Sequence, residues 1–166
     1  MTAVSDSSPL IVLAKLGCFD LLKRLFPQLY ISTEVHQEVV IAGAGLPGAS
    51  EVAGAQWIEV RQLGDQAGPS AALKTLALGA GEFSTILLAR ELSADAVLLD
   101  DYNARKVARA QGLNVRGTVG LLETFYERGY LSDLRAVFLK LIERDVYVDR
   151  RLLDSRLRSL GLPPMI

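Results

Sequence analysis

The residues Ala96, Val97, Leu98 and Leu99 form a continuous apolar run of strand length that ends abruptly at Asp100. A strand that is apolar at every position is buried on both faces, which is typical of parallel sheets covered by helices on each side. Shorter runs of strand type occur at residues 3–5, 29–31, 57–60 and 113–115. Because helical segments separate these runs, the sequence predicts βαβ units and an α/β fold, a central parallel sheet flanked by helices (α/β/α).

Polar caps and glycines mark the ends of the predicted helices. Ser8 suits the N-cap of the first helix with Pro9 at its first position, and Gly17 ends this helix. Ser32 and Thr33 open the helix that follows the second strand. The remaining predicted elements are helices at residues 19–25, 71–77, from about 82, 104–111, 118–129, 134–143 with Ser132 as its cap, and 150–160, and loops at 43–48 and 63–70.

The chain has 166 residues, half of them apolar, which is enough to bury a core without disulfides or structural metals. We predict a single domain over residues 1–166, with a core of about 1–130 and a C-terminal helical extension of about 131–166, because the last two helices leave the alternation. Cys18 is the only cysteine, which excludes an intrachain disulfide and fits a packed side chain. Since no signal-like segment and no run of about 20 apolar residues occurs, the sequence predicts a cytoplasmic protein with no membrane contact.

Acidic residues stand where predicted strands end, or just beyond. Asp6 follows the first strand, and Asp100 and Asp101 follow the apolar run described above. Glu38 lies in the helix after the second strand, and Glu82 lies in the first turn of a helix preceded by a Gly-Ala-Gly turn. In parallel α/β sheets ligands bind beyond the carboxyl ends of the strands. We therefore expect these carboxylates to converge on one end of the sheet.

Each carboxylate also has a simpler explanation. Glu82 would complement the helix dipole, Glu38 could belong to a solvated face, and Asp6 could cap the first helix. Asp100 and Asp101 could be ordinary turn residues. As a group, however, the carboxylates would repel one another unless cations lay between them. An all-oxygen site in a chain with one histidine and one cysteine suits Mg²⁺ or Mn²⁺ rather than zinc.

Basic residues near these acids are the candidates for binding a polyanion. The net charge of −1 gives no bulk attraction to nucleic acid, so such binding must use local patches. Arg105, Lys106 and Arg109 lie on the predicted helix after Asp101, and Arg116 follows the next strand. They either bind a phosphate backbone or form a solvated helix surface.

Several segments resemble the PIN-domain family, and more specifically its prokaryotic DUF3368-type branch. They are VSDSSPLI, VHQEVV, GAGEFSTILLA, and VLLDDYNARKVA followed by GLNVRGTVGLL. The resemblance covers nearly the whole chain to about Glu127 and is looser beyond Leu131. PIN domains are metal-dependent nucleases, and many are VapC-type toxins that cleave RNA and are neutralised by an antitoxin. The resemblance implies a PIN-like fold and a Mg²⁺- or Mn²⁺-dependent endoribonuclease, with the toxin of a toxin–antitoxin pair as one role.

The resemblance also assigns the site residues. The family's first acid matches Asp6, the second matches Glu38, and the third matches Glu82. The fourth matches Asp101 best, with Asp100 as the second choice. All five are then candidate metal ligands, and all except Asp100 are candidate catalytic residues. In this assignment Asp6, Glu38 and Asp101 hold one ion, while Glu82 orients a water or a second ion.

Ser8 and Asn103 are the candidate supporting residues, and Leu99 and Asn103 depart from the family pattern. Ser8 stands where PIN domains commonly carry a hydroxyl that bonds a metal ligand or metal-bound water. Leu99 replaces the usual threonine before the fourth acid, and Asn103 stands where an additional aspartate is often found. These departures leave one or two ions open and are consistent with weak activity.

Other functional classes fit the sequence less well. A HAD-type phosphatase needs a second acid two residues after the first, where this chain has Ser8, and neither Ser7 nor Ser8 lies in the G-x-S-x-G of a serine hydrolase. The remaining alternative is a catalytically weak or inactive PIN-like module that binds nucleic acid or a protein partner. The expected partners are RNA, an antitoxin protein and a second copy of the chain. The last of these follows from an apolar stripe on the final helix, which predicts either intramolecular packing or a homodimer contact, at Leu153, Leu157 and Leu160.

Overall fold

Five parallel strands form one sheet. The computed structural model describes residues 1–64 and 78–165. Within these ranges the strands are β1 (Thr2–Ser5), β2 (Gln28–Ser32), β3 (Ile58–Arg61), β4 (Ala96–Leu98) and β5 (Val115–Arg116), in the spatial order β3-β2-β1-β4-β5. Every predicted strand is present within two residues of its expected ends. The predicted α/β fold, a parallel sheet flanked by helices, is therefore confirmed.

Helices connect the strands and continue after the last one. Those in the described residues are α1 (Ser7–Lys15), α2 (Leu21–Leu25), α3 (Thr33–His36), α4 (Ala49–Gly54), α5 (Ala80–Glu91), α6 (Tyr102–Ala110), α7 (Thr118–Glu127), α8 (Leu134–Glu143) and α9 (Arg150–Ser159). A π-helical segment, Gln37–Ala42, continues α3 without a break. The short helix α4 was not predicted. The loop predicted at 63–70 falls mostly, and the helix predicted at 71–77 wholly, outside the described residues.

Two predicted helix caps are wrong. The first helix begins at Ser7, so Asp6 occupies the N-cap position and Pro9 is the third helical residue. Ser8 therefore caps nothing, and its hydroxyl is directed elsewhere, as described below. In α8 the cap is Asp133, whose Oδ1 accepts a hydrogen bond from the backbone N–H of Ala136 at 3.0 Å, rather than Ser132. Both errors arise because successive residues of similar capping propensity compete for one position: Asp6, Ser7 and Ser8 at α1, and Ser132 and Asp133 at α8.

The strand order reverses beside β1. β2 and β3 lie on one side of β1, and β4 and β5 lie on the other. The register pairs Val4 with Tyr30 of β2 and with Val97 of β4. A crevice at the carboxyl ends of the strands is expected where the order reverses. The chain segments that leave β1 and β4, which carry Asp6 and Asp100, border this crevice.

The apolar strands are buried as their sequence predicts. Val4 and Val97 have no exposed surface, and they share a core cluster with Ile86 of α5 and Ala108 of α6. Burying each such aliphatic side chain stabilises the fold by roughly 1.5–3 kcal/mol. This burial fixes the central strands, and with them the positions of the acidic residues that follow their carboxyl ends.

The chain divides into two compact units, Met1–Thr118 and Val119–Ile166. In the second unit Nε and Nη2 of Arg156 donate to Oε1 of Glu123, the nitrogen–oxygen distances being 2.8 and 2.7 Å. Leu153 and Leu157 of the predicted apolar stripe are buried. The single domain over residues 1–166 and the homodimer contact stay predictions.

In the part of the chain that the structure describes, no helix has the length and apolar character needed to cross a membrane.

Candidate functional site

A cleft of about 740 Å³ lies at the carboxyl ends of the strands, within the first unit. It brings together all five acids singled out in the sequence, together with Ser8. The described residues that line it are Asp6, Ser7, Ser8, Glu34, Gln37, Glu38, Ala42, Gly79, Ala80, Gly81, Glu82, Asp100 and Asp101. Asn103, the other predicted supporting residue, is an exposed residue of α6 outside this lining.

Asp6 is the most deeply buried of these acids, with 6% of its surface exposed. Its backbone N–H extends the sheet by donating to the carbonyl oxygen of Leu98 at 3.0 Å. Although it occupies the N-cap position of α1, its carboxylate makes no capping hydrogen bond. Burial, together with the negative charges of Glu82, Glu38 and Asp100, raises its pKa to about 7, against a smaller opposing effect of the Ser7 backbone. Asp6 therefore carries an unfavourable charge that a cation would stabilise.

Glu38 is presented by the π-helical segment. Ser32 starts the preceding helix by accepting a hydrogen bond from the backbone N–H of Val35 at 3.1 Å, as the sequence predicts. π-helical turns of this kind occur frequently at functional sites. Ser7 Oγ donates to Oε2 of Glu38 at 2.9 Å. Ser7 thus orients the Glu38 carboxylate toward the cleft, a role that the sequence analysis missed.

Gly81 of α5 lies against both Asp6 and Glu38. A Cβ atom at this position would be 2.8 Å from Glu38 Oε2 and 3.1 Å from Asp6 Oδ1. The two carboxylates therefore approach the same point of α5, and the missing side chain keeps that point open. Ser84 links the helix to β2, because its Oγ lies 2.7 Å from Ser32 Oγ and donates to the carbonyl oxygen of Gly81 at 2.9 Å.

The two carboxylate oxygens of Glu82 have different surroundings. Its Oε1 accepts a hydrogen bond from the backbone N–H of Gly79 at 3.2 Å, as expected of a glutamate in a first helical turn. Its Oε2 is buried and has no hydrogen-bond donor among the described residues. Burial, followed by the charge and side-chain proximity of Asp101 and then the charge of Glu38, raises the pKa of Glu82 against the opposing effect of the Gly79 backbone. Helix capping explains one oxygen and leaves the other available to a ligand or a water.

Asp100 and Asp101 are neighbours with opposite surroundings. The Asp100 carboxylate accepts three hydrogen bonds, from Ser8 Oγ at 2.9 Å and from Oγ1 and the backbone N–H of Thr118 at 2.7 Å each. Asp101 is exposed and caps α6, where its Oδ2 accepts from the backbone N–H of Ala104 at 3.0 Å. The predicted hydroxyl partner Ser8 therefore holds Asp100. Thr118, the first residue of α7, is its second anchor.

The predicted basic residues do not share one environment. Arg105 is half-buried, its Nη1 donates to the carbonyl oxygen of Leu99 at 2.9 Å, and its guanidinium abuts Gly117. Burial and then the charge of Arg109 lower the pKa of Arg105. Lys106 and Arg109 are exposed on α6. Arg105 thus serves the packing of its own chain, whereas Lys106 and Arg109 face solvent and Arg116 is a half-buried residue of β5.

The donors that line the cleft fit a partly hydrated divalent cation better than a directly coordinated one. In residues 1–64 and 78–165 no three His, Cys, Asp or Glu side chains are placed to hold an ion directly, which differs from the expected direct set of Asp6, Glu38 and Asp101. Mg²⁺, however, commonly keeps several waters and binds through one or two carboxylates. The oxygen-only donors, the raised pKa of Asp6, the orphan oxygen of Glu82 and the open space beside Gly81 all fit a partly hydrated ion.

Comparisons with known proteins agree with the fold. No curated protein matches the chain. It is similar to the solved structure of a PilT N-terminus domain protein from the hyperthermophilic archaeon Sulfolobus solfataricus P2, with 19% identity, a TM-score of 0.51, and coverage of 75% of this chain and 92% of that one.

The family comparison extends over almost the whole chain. The DUF3368 family model, described as a PIN domain, matches residues 2–162. PIN domains are generally nucleases and generally use divalent metals. The chain belongs to the DUF3368 family of PIN domains.

Proposed function

We propose that this protein is a Mg²⁺- or Mn²⁺-dependent endoribonuclease that hydrolyses RNA phosphodiester bonds. One observation carries the proposal: the carboxylate of the buried Asp6, whose pKa is raised, and the carboxylate of Glu38 both lie beside the Cα of Gly81, where no side chain separates them. Paired carboxylates in an open cleft suit a hard cation. Such an ion supplies charge neutralisation and Lewis acidity for phosphodiester cleavage.

The chain's own residues would divide the remaining work. Asp6 and Glu38 would hold the cation, with Ser7 fixing the Glu38 carboxylate. Glu82 Oε2, which lacks a donor in the described part of the chain, would accept a hydrogen bond from a water and orient it toward the phosphorus atom. Attack by that water forms one P–O bond and breaks another, and the departing oxygen takes up a proton.

The fourth acid is assigned to Asp101 rather than Asp100. Asp100 already accepts three hydrogen bonds, so its oxygens are largely committed to Ser8 and Thr118. Asp101 is exposed at the cleft and uses one oxygen as a helix cap. Asp100 is then a positioning residue, because its carboxylate joins Ser8 of α1 to Thr118.

The proposal is tested by an RNA-cleavage assay in which the divalent ion is varied. Cleavage should require Mg²⁺ or Mn²⁺, and both Asp6→Asn and Glu38→Gln should reduce its rate by more than about 100-fold. Asp20→Asn is the matched control, since Asp20 is exposed and makes no capping hydrogen bond at α2. Unchanged metal-dependent cleavage in the Asp6 and Glu38 variants would overturn the assignment.

A second function is favoured by one observation. The described residues contain no directly coordinating set of three acids, which would suit a module that binds nucleic acid or a protein without useful turnover. Metal-dependent protection against thermal unfolding without any RNA cleavage would identify this case.

A toxin role would use the same nuclease chemistry. Growth arrest on expression of the wild type, abolished by Asp6→Asn, would support it.

A further inference from the structure

The outer face of α6 carries an exposed aromatic ring beside the cleft. Tyr102 immediately follows Asp101, which lines the cleft, and 78% of the surface of Tyr102 is accessible to solvent. Lys106 and Arg109 follow at positions i+4 and i+7 and are also exposed. Residues at this spacing share one face of a helix. The three side chains therefore form a stripe that starts at the cleft.

This stripe lies opposite the buried side of α6. Ala104 and Ala108 have no exposed surface and pack in the core. Arg105 is excluded from the stripe because its guanidinium is bonded to the Leu99 carbonyl. The stripe spans about 10 Å along the helix axis at 1.5 Å per residue. An exposed ring and two exposed cations thus lie in a line on the solvent side of α6.

We infer that Tyr102 is a base-stacking residue that, with Lys106 and Arg109, binds single-stranded nucleic acid leading into the cleft. This inference rests on the proposed function. One base stacks on the Tyr102 ring, and neighbouring phosphates contact the two cations.

Charge complementarity identifies the occupant of the stripe. The described residues that line the cleft include six carboxylates, which repel a phosphate backbone, so the attraction that side chains supply must come from cations outside the cleft. Exposed Lys and Arg side chains supply that attraction to phosphates. An aromatic ring adds the second element, because bases of single strands stack on aromatic side chains whereas bases of a duplex are already stacked.

The experiment measures binding without turnover. Fluorescence anisotropy of a labelled single-stranded RNA of about 12 nucleotides, in buffer with Ca²⁺ and no Mg²⁺ or Mn²⁺, gives a Kd for each variant. We expect Tyr102→Ala to weaken binding by about 5- to 150-fold, the range for loss of one stacked base. Tyr102→Phe should bind within about twofold of the wild type, because the ring is retained. Tyr147→Ala is the matched control, since Tyr147 is a fully exposed tyrosine of the second unit.

Salt dependence separates stacking from charge. Lys106→Ala and Arg109→Ala should each lower the slope of log Kd against log salt by about one, whereas Tyr102→Ala should leave this slope unchanged. A probe made abasic throughout should bind the wild type and Tyr102→Ala equally. Since the Tyr102 side chain is exposed, its replacement should leave the melting temperature unaltered, which excludes unfolding as the cause.

The outcomes distinguish this inference from the proposed nuclease function. Tyr102→Ala that binds as tightly as the wild type, or wild-type protein that binds no RNA, would overturn the inference even if cleavage is observed. Tyr102-dependent binding without cleavage would support the inference while contradicting the nuclease function. Binding of a duplex as tight as that of the single strand, with no effect of Tyr102→Ala, would point to a purely electrostatic contact and also overturn it.

Discussion

The two sides of the cleft hold their carboxylates in opposite ways. On the β1–α5 side, Asp6 is buried without a capping bond, and Glu38 is held by the Ser7 hydroxyl. On the β4–α6 side, Asp100 accepts three hydrogen bonds and Asp101 caps a helix. The first arrangement leaves charge uncompensated, and the second satisfies it within the chain. Residue type therefore selects candidate ligands, while the number of hydrogen-bond donors around each carboxylate separates a metal ligand from a structural anchor.

The largest effect on stability is expected at Asp100. Asp100→Ala removes three hydrogen bonds to a carboxylate and leaves the buried Thr118 donors without their acceptor, which should lower the free energy of unfolding by about 3 kcal/mol. Asp101→Asn should change it by less than about 0.5 kcal/mol, because asparagine is an equally good N-cap. Denaturant unfolding of both variants without metal measures the difference. Equal effects of the two substitutions would show that the contrast between these neighbours is wrong.

Gly81 tests whether the space between Asp6 and Glu38 is the metal position. Gly81→Ala places a methyl group against Glu38 Oε2 and should weaken Mn²⁺ binding by about 10-fold or more. The stability of the metal-free protein should stay nearly constant, since alanine favours the helix and the obstructing atom ends a flexible side chain. Gly120→Ala is the matched control, because a Cβ at that helical glycine meets no atom within 4 Å. Calorimetric titration of both variants supplies the comparison.

The pH dependence of the metal-free protein follows from Asp6. Its pKa is about 7 in the folded protein and 3.8 as a free side chain, so between these values the folded state binds a proton that the unfolded state releases. Stability should therefore fall as the pH rises from about 4 to about 7 and then level off, with the raised pKa of Glu82 adding in the same direction. Saturating Mn²⁺ should reduce this fall. Melting curves with identical pH profiles for the wild type and Asp6→Asn would contradict this account.

The smallest expected effect concerns Ser7. Ser7→Ala removes the hydrogen bond that orients Glu38 and should weaken Mn²⁺ binding by about fivefold, equivalent to one hydrogen bond of about 1 kcal/mol. Ser50→Ala is a close control, because Ser50 Oγ also donates to a glutamate, Glu51, at 2.9 Å, but outside the cleft. An equal change in both variants would remove Ser7 from the site.

The sequence predicts the position of the acids better than their roles. Apolar runs predict the strand ends, and the geometry of parallel sheets predicts that the acids beyond them lie at one end of the sheet. These acids include Asp6, Glu38, Glu82 and Asp101. The hydrogen bonds that set their roles join distant parts of the chain. Ser7 and Glu38 are 31 residues apart, and no local pattern couples such positions.

Other misses have equally physical causes. Asp6, Ser7 and Ser8 are successive residues with similar capping propensity, so the sequence alone does not decide the start of α1. The helix α4 has six residues, too few for a periodic pattern to emerge. The π-helical segment continues α3 directly, and its six residues are too few to show a spacing that differs from that of an α-helix. Arg105 resembles its basic neighbours in sequence and differs from them through its partial burial, its contact with Gly117 and its hydrogen bond to the Leu99 carbonyl oxygen.

The central claim is that Asp6 and Glu38 form the divalent-cation site of this protein. Its most direct test is calorimetric titration of the metal-free protein with Mn²⁺ at about pH 8, above the pKa of Asp6, for the wild type, Asp6→Asn and Asp20→Asn. The account predicts saturable binding to the wild type and Asp20→Asn and loss of that binding in Asp6→Asn. Binding of equal affinity and stoichiometry in all three proteins would contradict it.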